Sequence, residues 1–407
     1  MASSLSRRGF LVGTGIAAMP WAPAIAQSGP ARIGLLTVKT GPLAQGGNQM
    51  EQGITLFLKD RNSTLAGRKV ELVIADTGGN PAGAKTKAQE LVERDKVDVV
   101  VGPLAAFELL AITDYIAEAK VPMLSLAAAD DMTQRKPNPW FIRASATSSQ
   151  CCHPLADYAA KEMKLKAAAT ITEDFAFGYE QCGGFARVFE DNGGKIVQKL
   201  WPPLVTADYT PYLAQIKDVD CVWTGFAGSN PLKFTKQYAD VGLKYPVLGG
   251  WTAFDDALLK SFGEEAIGTI STAFYSTELD TPSNKTFIAG MQRDYQTLPG
   301  GYAAGTYING MVIEAALQKT GGKTDKQALI EALRSVSLAD TPRGPFHFDH
   351  LGNVVGNVFI RKLEKKGDKL VNTIVKTYPD VSQFWTYDEA KYLAAPVYTR
   401  DATPAKL

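Results

Sequence analysis

The sequence predicts an α/β protein with two doubly wound parallel-sheet lobes, and three observations carry that prediction. Short β-branched or apolar runs alternate with segments whose apolar residues recur at helical spacing. The alternation runs from Ala31 to Arg143 and begins again at Ala167. A chain of 407 residues exceeds one typical domain, and no Pro/Gly/Ser-rich tether separates the runs, so short, close segments are expected to join the lobes.

In the first run, Ala31–Val38 reads as a strand. Thr40, Gly41 and Pro42 turn it into a helix with Met50, Ile54, Phe57 and Leu58 on one face. Lys69–Ala75 is the second strand, ending at Asp76, and Asn80 and Pro81 read as N-cap and N1 of a helix carrying Ala84, Ala88, Leu91 and Val92. Val97, Val99, Val100 and Val101 form the third strand. Gly102-Pro103 breaks it, and a helical pattern follows through Phe107, Leu110 and Ile116. Val121–Leu126 is the fourth strand, with Pro122 admissible at a first position or on an edge. Ala127–Pro139 reads as irregular loop, Trp140–Arg143 as a strand, and a helix starts near Pro154.

The second run reads strand Ala167–Thr172, helix Phe177–Asn192, strand Lys195–Trp201, short helix Thr210–Lys217 and strand Val219–Thr224. A helix capped by Ser229 or Asn230 runs to Val241, and strands follow at Tyr245–Leu248 and Ile267–Ala273. Beyond Pro282 the chain is mainly helical to about Val336, with closing strands near Gly344–Phe348 and Val354–Leu363. Two such runs imply two parallel sheets, each covered by helices and wound with right-handed crossovers. In such sheets ligands bind beyond the C-terminal strand ends. Leu104-Ala105-Ala106-Phe107 is one such place, where a strand that turns into a helix leaves backbone N–H groups free.

Lys+Arg 43 against Asp+Glu 42 gives no electrostatic reason to expect nucleic acid. At the N-terminus, Arg7 and Arg8 precede Gly9, Phe10 and Leu11, an apolar segment runs to about Ile25, and Ala24-Ile25-Ala26 closes it. That reads as an export signal resembling the twin-arginine type over residues 1–26 rather than as a membrane anchor, because Pro20 and Pro23 interrupt a run shorter than the ~20 residues a spanning helix needs. Export permits disulfides: Cys151 or Cys152 could pair with Cys182, or these and Cys221 could be buried thiols. His347 and His350 fall on opposite faces of a strand near Gly352-Asn353, which reads as a solvated hairpin and not a metal pair.

No G-x-S-x-G, H-E-x-x-H or P-loop motif occurs, so neither an enzyme nor a cofactor is expected. Glu173-Asp174 at a strand end suits acid–base work or, more commonly, a helix cap. Aromatic residues are the better signal. Phe107, Phe175, Phe177, Phe226 and Trp251 all recur at predicted strand ends, from both runs. Singly each suits a core. Together they would line a crevice between lobes and suit a flat, apolar ligand.

Segments Ile33–Thr37, Thr40–Gln45, Gly67–Leu72, Val99–Leu104, Val121–Ser125, Phe177-Gly178, Gly242–Lys244 and Asp280–Asn284, in this order, resemble the periplasmic solute-binding proteins of ABC transporters, of the leucine/isoleucine/valine-binding type. The resemblance implies two lobes joined by three hinge crossovers, the first taking 28–146 and 275–345 and the second 147–274 and 346–395. It also implies a ligand held in the cleft by hinge closure, a periplasmic location, an inner-membrane permease with ATPase subunits as partner, and a monomer.

The departures from the family pattern point to the ligand. Where amino-acid binders of the family place a Ser on the ligand carboxylate, this chain has Ala105, Ala106 and Phe107. Where they place a Thr, it has Ala129, between Ala128 and Asp130. Where they place a Tyr before Gly, it has Phe177, and where they place the acidic partner of the ligand ammonium, it has Trp251. A buried ammonium without a carboxylate partner is costly, so the expected ligand is an aromatic or apolar carboxylate or amide. Backbone N–H groups near Ala106 and Ala129 could hold its carboxylate, and Asp130 reads either as an acceptor or as a helix cap. The candidate binding set is Gln45, Ala105, Ala106, Phe107, Ala128, Ala129, Asp130, Phe175, Phe177, Phe226 and Trp251. The competing readings are a sensor of a short amide, urea or amino acid, a secreted two-lobed hydrolase, and a branched-chain amino acid binder in which Trp251 is misplaced.

Overall fold

The computed structural model describes Met1, residues 29–404 and Leu407. Arg7, Arg8 and Ala24–Ala26, which carry the export reading, lie outside those residues. No helix among the described residues is long and apolar enough to cross a membrane.

Strands β1 (Ala31–Thr37), β2 (Thr64–Leu65), β3 (Arg68–Asp76), β4 (Val99–Val101), β5 (Met123–Leu124) and β6 (Phe141–Ile142) form the first sheet, in the order β2-β3-β1-β4-β5-β6. All pairs are parallel except the short β2–β3 hairpin, which the sequence reading did not contain. Helices α1 (Ala44–Lys59), α2 (Pro81–Gln89) and α3 (Ala106–Ala119) connect these strands. Asn80 caps α2 by accepting from the Gly83 N–H at 2.9 Å. β5 is an interior strand, and Pro122 sits just before it, where its missing N–H costs no ladder bond. The loop expected at 127–139 contains a 3₁₀ turn at Asp130–Thr133.

α4 (Cys152–Lys161) begins the second half, followed by β7 (Ala167–Ile171), α5 (Ala176–Asp191), β8 (Lys195–Leu200), α6 (Thr210–Leu213), β9 (Cys221–Thr224), α7 (Asn230–Asp240), β10 (Val247–Gly249) and β11 (Ile270–Ala273). The chain then forms α8 (Pro282–Tyr295), α9 (Gly301–Lys319) and α10 (Lys326–Arg334). Four strands β12 (Ser337–Leu338), β13 (Phe346–Phe348), β14 (Val354–Lys366) and β15 (Lys369–Val381) follow, then α11 (Glu389–Ala394).

The second sheet has the expected parallel core and adds antiparallel strands to it. β8-β7-β9-β10-β11 pair in parallel, and β14, antiparallel to β11, extends the sheet through β13 and β12 and pairs with β15 on its flank. Ser337–Leu338, expected in the first lobe, pairs with β13 and so belongs to the second sheet. Each sheet has apolar clusters against its helices. In the second, Trp223 packs on Phe185 of α5 at 5.6 Å between ring centroids, while Val222, on the other face, joins the α6 and α7 side.

The chain passes between the sheets after β6, after β11 and after α10. Two fully buried arginines stitch these crossings. Arg143 donates to the Ala127 and Ala129 carbonyls, to Thr133 and, at 3.1 Å, to Asn353 Oδ1. Arg343 donates to the Ala144 carbonyl at 2.6 Å and also to that of Ser145. Gln150 Nε2 donates to the carbonyls of Val354 (3.0 Å) and Val381 (2.8 Å), tying the first crossing to the third. Buried charges of this kind keep their place through hydrogen bonds rather than Coulomb gain. All four cysteines are buried and free, so the thiol alternative holds in this structure. His347 lies on β13 and is exposed, whereas His350 lies beyond the strand in a turn, 3.1 Å from Glu389.

Candidate functional site

Each sheet has a position where its strand order reverses. In the first, β3 lies on one side of β1 and β4 on the other. In the second, β8 lies on one side of β7 and β9 on the other. Loops leaving the C-terminal ends of such neighbouring strands diverge and open a crevice. Here the crevices of the two lobes meet. Leu43 follows β1, and Leu104, Ala105 and Ala106 follow β4. Phe175 and Phe177 follow β7, and Ala227 follows β9. Trp251 after β10, Leu126 and Ala128 after β5, and Tyr302 in the first turn of α9 complete the lining.

The empty space between these residues is about 300 Å³. It is a narrow slot at the lower end of the size range for small-molecule sites. Its aromatic wall is continuous. Phe175 and Phe177 stack at 6.1 Å and 26°, Phe177 meets Trp251 edge-on at 6.2 Å and 85°, and Trp251 lies 5.3 Å from Tyr302.

No charged side chain belongs to the lining. Neutral donors are present beside it. Trp251 Nε1 is buried without a partner. In the first turn of α3, the N–H groups of Ala106 and Phe107 have no intrahelical acceptor by the geometry of a helix, and the helix dipole favours a negative group there. The preceding N–H, of Ala105, is taken by Glu108 Oε2 at 3.1 Å, and Thr77 donates to the other oxygen of that carboxyl. Burial pushes Glu108 up, against the pull of these two hydrogen bonds.

The structure brings together Ala105, Ala106, Ala128, Phe175, Phe177 and Trp251 of the expected set. Phe107 stands behind the wall, edge-on to Phe175 at 5.5 Å. Four other expected residues lie outside this lining. Gln45, in the first turn of α1, is half-buried and outside the lining. Ala129 turns away: its carbonyl accepts from Arg143 Nη2 at 2.5 Å. Asp130 accepts from the Ser149 N–H at 3.2 Å, beside Glu180, and reaches neither the slot nor a cap of its own turn. Phe226 packs inside the second lobe against Tyr209 (4.9 Å) and Phe234 (5.0 Å), because its side chain takes the α6–α7 face of the sheet. The next residue, Ala227, takes the slot.

Leu43, Leu104, Leu126, Ala227 and Tyr302 also line the slot, outside the candidate set. Leu104 lies in the strand-end turn marked by the sequence, whereas Tyr302, after Gly300-Gly301, becomes legible only from the structure. Glu173 and Asp174 are separated by the fold. Glu173 is fully buried behind Ala227, accepting from its N–H at 2.9 Å and from Asn230 Nδ2 at 3.2 Å, and burial pushes its carboxyl up to about 7. Asp174 pairs with Arg400 at 2.8 Å nearer the surface.

Residues 30–368 match the model of the family described as periplasmic binding protein. A Leu/Ile/Val-binding protein homologue (homolog 6) of Brucella suis is 28% identical over 368 residues, which cover 87% of this chain and 93% of that protein. The solved structure of an ABC-transporter solute-binding protein from Rhodopseudomonas palustris BisB5, in complex with 3,4-dihydroxybenzoic acid, is 33% identical with a TM-score of 0.83, over 87% of this chain and 98% of that one. Its counterpart from Rhodopseudomonas palustris HaA2, in complex with p-hydroxybenzoic acid, is 30% identical with a TM-score of 0.82, over the same shares.

Proposed function

We propose that this chain, which belongs to the periplasmic binding protein family and is an ABC-transporter substrate-binding protein, takes a single-ring aromatic carboxylate in the slot between its lobes. The observation that carries the reading is the lining: an aromatic wall of Phe175, Phe177, Trp251 and Tyr302, with leucines and alanines completing it, and no charged side chain among the described lining residues. A flat ring fills a narrow slot with little loss of its own freedom and gains offset and edge contacts. A carboxylate can be met by the first-turn N–H groups of α3, which need no cation. Two solved structures of this fold, each at least 30% identical, hold hydroxylated benzoic acids.

The moving bodies are the two lobes inferred from sequence, with Ser337–Leu338 transferred to the second. They close on the ligand about the three crossings, and the closed monomer docks in the periplasm on an inner-membrane permease with ATPase subunits. A branched-chain amino acid is the second reading, favoured by the name of the Brucella relative, a Leu/Ile/Val-binding protein homologue. An α-ammonium in this slot would find no carboxylate among the lining residues.

A thermal-shift panel of benzoate, 4-hydroxybenzoate, 3,4-dihydroxybenzoate, leucine, isoleucine, valine and urea separates these readings, since a ligand of the folded state raises its melting temperature. One or more benzoates should stabilise the protein and the amino acids should not. Stabilisation by leucine alone would put the ligand in the other class.

A further inference from the structure

Beside the slot, a carboxylate of one lobe sits on the end of a helix of the other. Asp255 follows β10 of the second sheet and is only 4% exposed. Its Oδ1 accepts from the Ala257 N–H at 3.0 Å, capping the 3₁₀ turn Asp256–Ser261 of its own lobe. Its Oδ2 accepts from the Gly301 N–H at 2.7 Å. Gly301 is the first residue of α9, a 19-residue helix held to α1 of the first lobe by Thr306, whose hydroxyl donates to the Met50 carbonyl at 2.7 Å. No side chain of α9's own lobe accepts from the Gly301 N–H. Gly300, its N-cap residue, has no side chain, and the Gly300 N–H is taken by Gln49 Oε1 at 2.9 Å.

The approach is close enough to dictate the residues. A Cβ on Gly300 would stand 1.7 Å from Asp255 Oδ1, so only glycine lets the carboxylate in. Trp251 and Tyr302, four residues before Asp255 and one after Gly301, line the slot, whereas Asp255 does not. On the far side of the slot a second cross-lobe bond joins the Ser229 N–H to the Pro42 carbonyl at 3.1 Å.

We propose that Asp255 is a positioning residue for ligand binding: its carboxylate caps α9 across the lobe interface and holds the cleft shut, so affinity depends on a group that never touches the ligand. A charged acceptor on a first-turn N–H is among the stronger hydrogen bonds, and the helix dipole adds to it. Both contributions exist only with the lobes closed. The proposal rests on the cleft being the ligand site for its affinity arm and on geometry alone for its closure arm.

The test reads both arms. Spin labels at Lys85→Cys and Lys217→Cys, exposed positions on the two lobes, report the closed population by the distance between them. In an otherwise native chain the four native thiols are buried. Asp255→Ala is expected to lower the closed population and to weaken 4-hydroxybenzoate at least tenfold, chiefly through faster dissociation. Asp255→Asn, which keeps an acceptor, should recover part of the loss. Gly300→Ala, which leaves the carboxylate but blocks its approach, should act like Asp255→Ala and add little to it, and it carries the test if Asp255→Ala fails to fold. An unchanged closed population, additive losses, or a wild type with no closed population in any condition overturns the proposal. If no benzoate binds the wild type, the proposed ligand class fails, while the distances in the ligand-free protein still decide the latch.

Discussion

Removing the indole of Trp251 is the perturbation on which the site stands or falls. The ring is 2% exposed and touches three others, Phe177 at 6.2 Å, Tyr302 at 5.3 Å and Phe274 at 5.3 Å. A ligand ring in the slot would use its remaining face. Losing that face removes one aromatic pair, about 1 kcal/mol. It also removes roughly 40–60 Å² of apolar contact, or about 1–1.5 kcal/mol at 25 cal/mol per Å². Trp251→Ala should therefore weaken benzoate-class ligands by about 2–2.5 kcal/mol, roughly 30- to 70-fold.

The protein itself should lose about 3 kcal/mol or more, the usual cost of truncating a buried aromatic. Trp251→Phe keeps a ring and removes only the Nε1 donor, so its affinity loss isolates that hydrogen bond, about 0.5–1.5 kcal/mol if the ligand uses it. Calorimetric titration with 4-hydroxybenzoate, beside urea unfolding of each variant, reads both quantities. A folded Trp251→Ala protein that binds within threefold of wild type would refute the placement of the ligand.

Three further outcomes follow from the same structure. Phe226→Ala should cost about 3–5 kcal/mol in urea unfolding and leave the affinity of the folded fraction unchanged, because Phe226 packs on Tyr209 and Phe234 away from the slot. Gly102→Ala should destabilise by about 1–3 kcal/mol: φ is +99° there, and a Cβ would stand 2.1 Å from the Leu36 carbonyl oxygen, which denaturant midpoints would report. Glu173, whose folded-state value is raised from 4.5 to about 7 by burial, favours folding fully below pH 4.5 and loses that contribution as pH rises through 7. Against Glu173→Gln, wild type should therefore lose up to about 3 kcal/mol between pH 4 and 8, and parallel pH profiles of the two proteins would contradict the assignment.

Much of the fold was legible because it is written in local patterns. Val99–Val101, closed by Gly102-Pro103 and followed by helical spacing, announced β4 and α3, and Asn80-Pro81 announced the cap of α2. The β14–β15 hairpin was not legible in full. Glu364, Lys365 and Lys366 read as the end of a strand, but they ride on the exposed end of β14, and only Gly367-Asp368 separates it from β15. In β15, Pro379 obscured the alternation and is tolerated because that strand pairs with β14 alone.

The site divides in the same way. Residues a few positions beyond a strand end, such as Ala105 and Phe177, follow from topology. Whether Phe226 or Ala227 faces the cleft depends on how the chain turns after β9, a one-residue matter that spacing does not fix. Tyr302 and Asp255 reach the cleft through contacts between distant segments. The pair Gly300-Gly301 marks that junction only once the opposing carboxylate is seen.

The central claim is the class of ligand, and competition calorimetry tests it most directly. Titrating the protein with 4-hydroxybenzoate and with leucine, each alone and each in the presence of the other, should give saturable heat for the benzoate, none for leucine, and no displacement by leucine. Saturable leucine binding that excludes the benzoate would contradict the account.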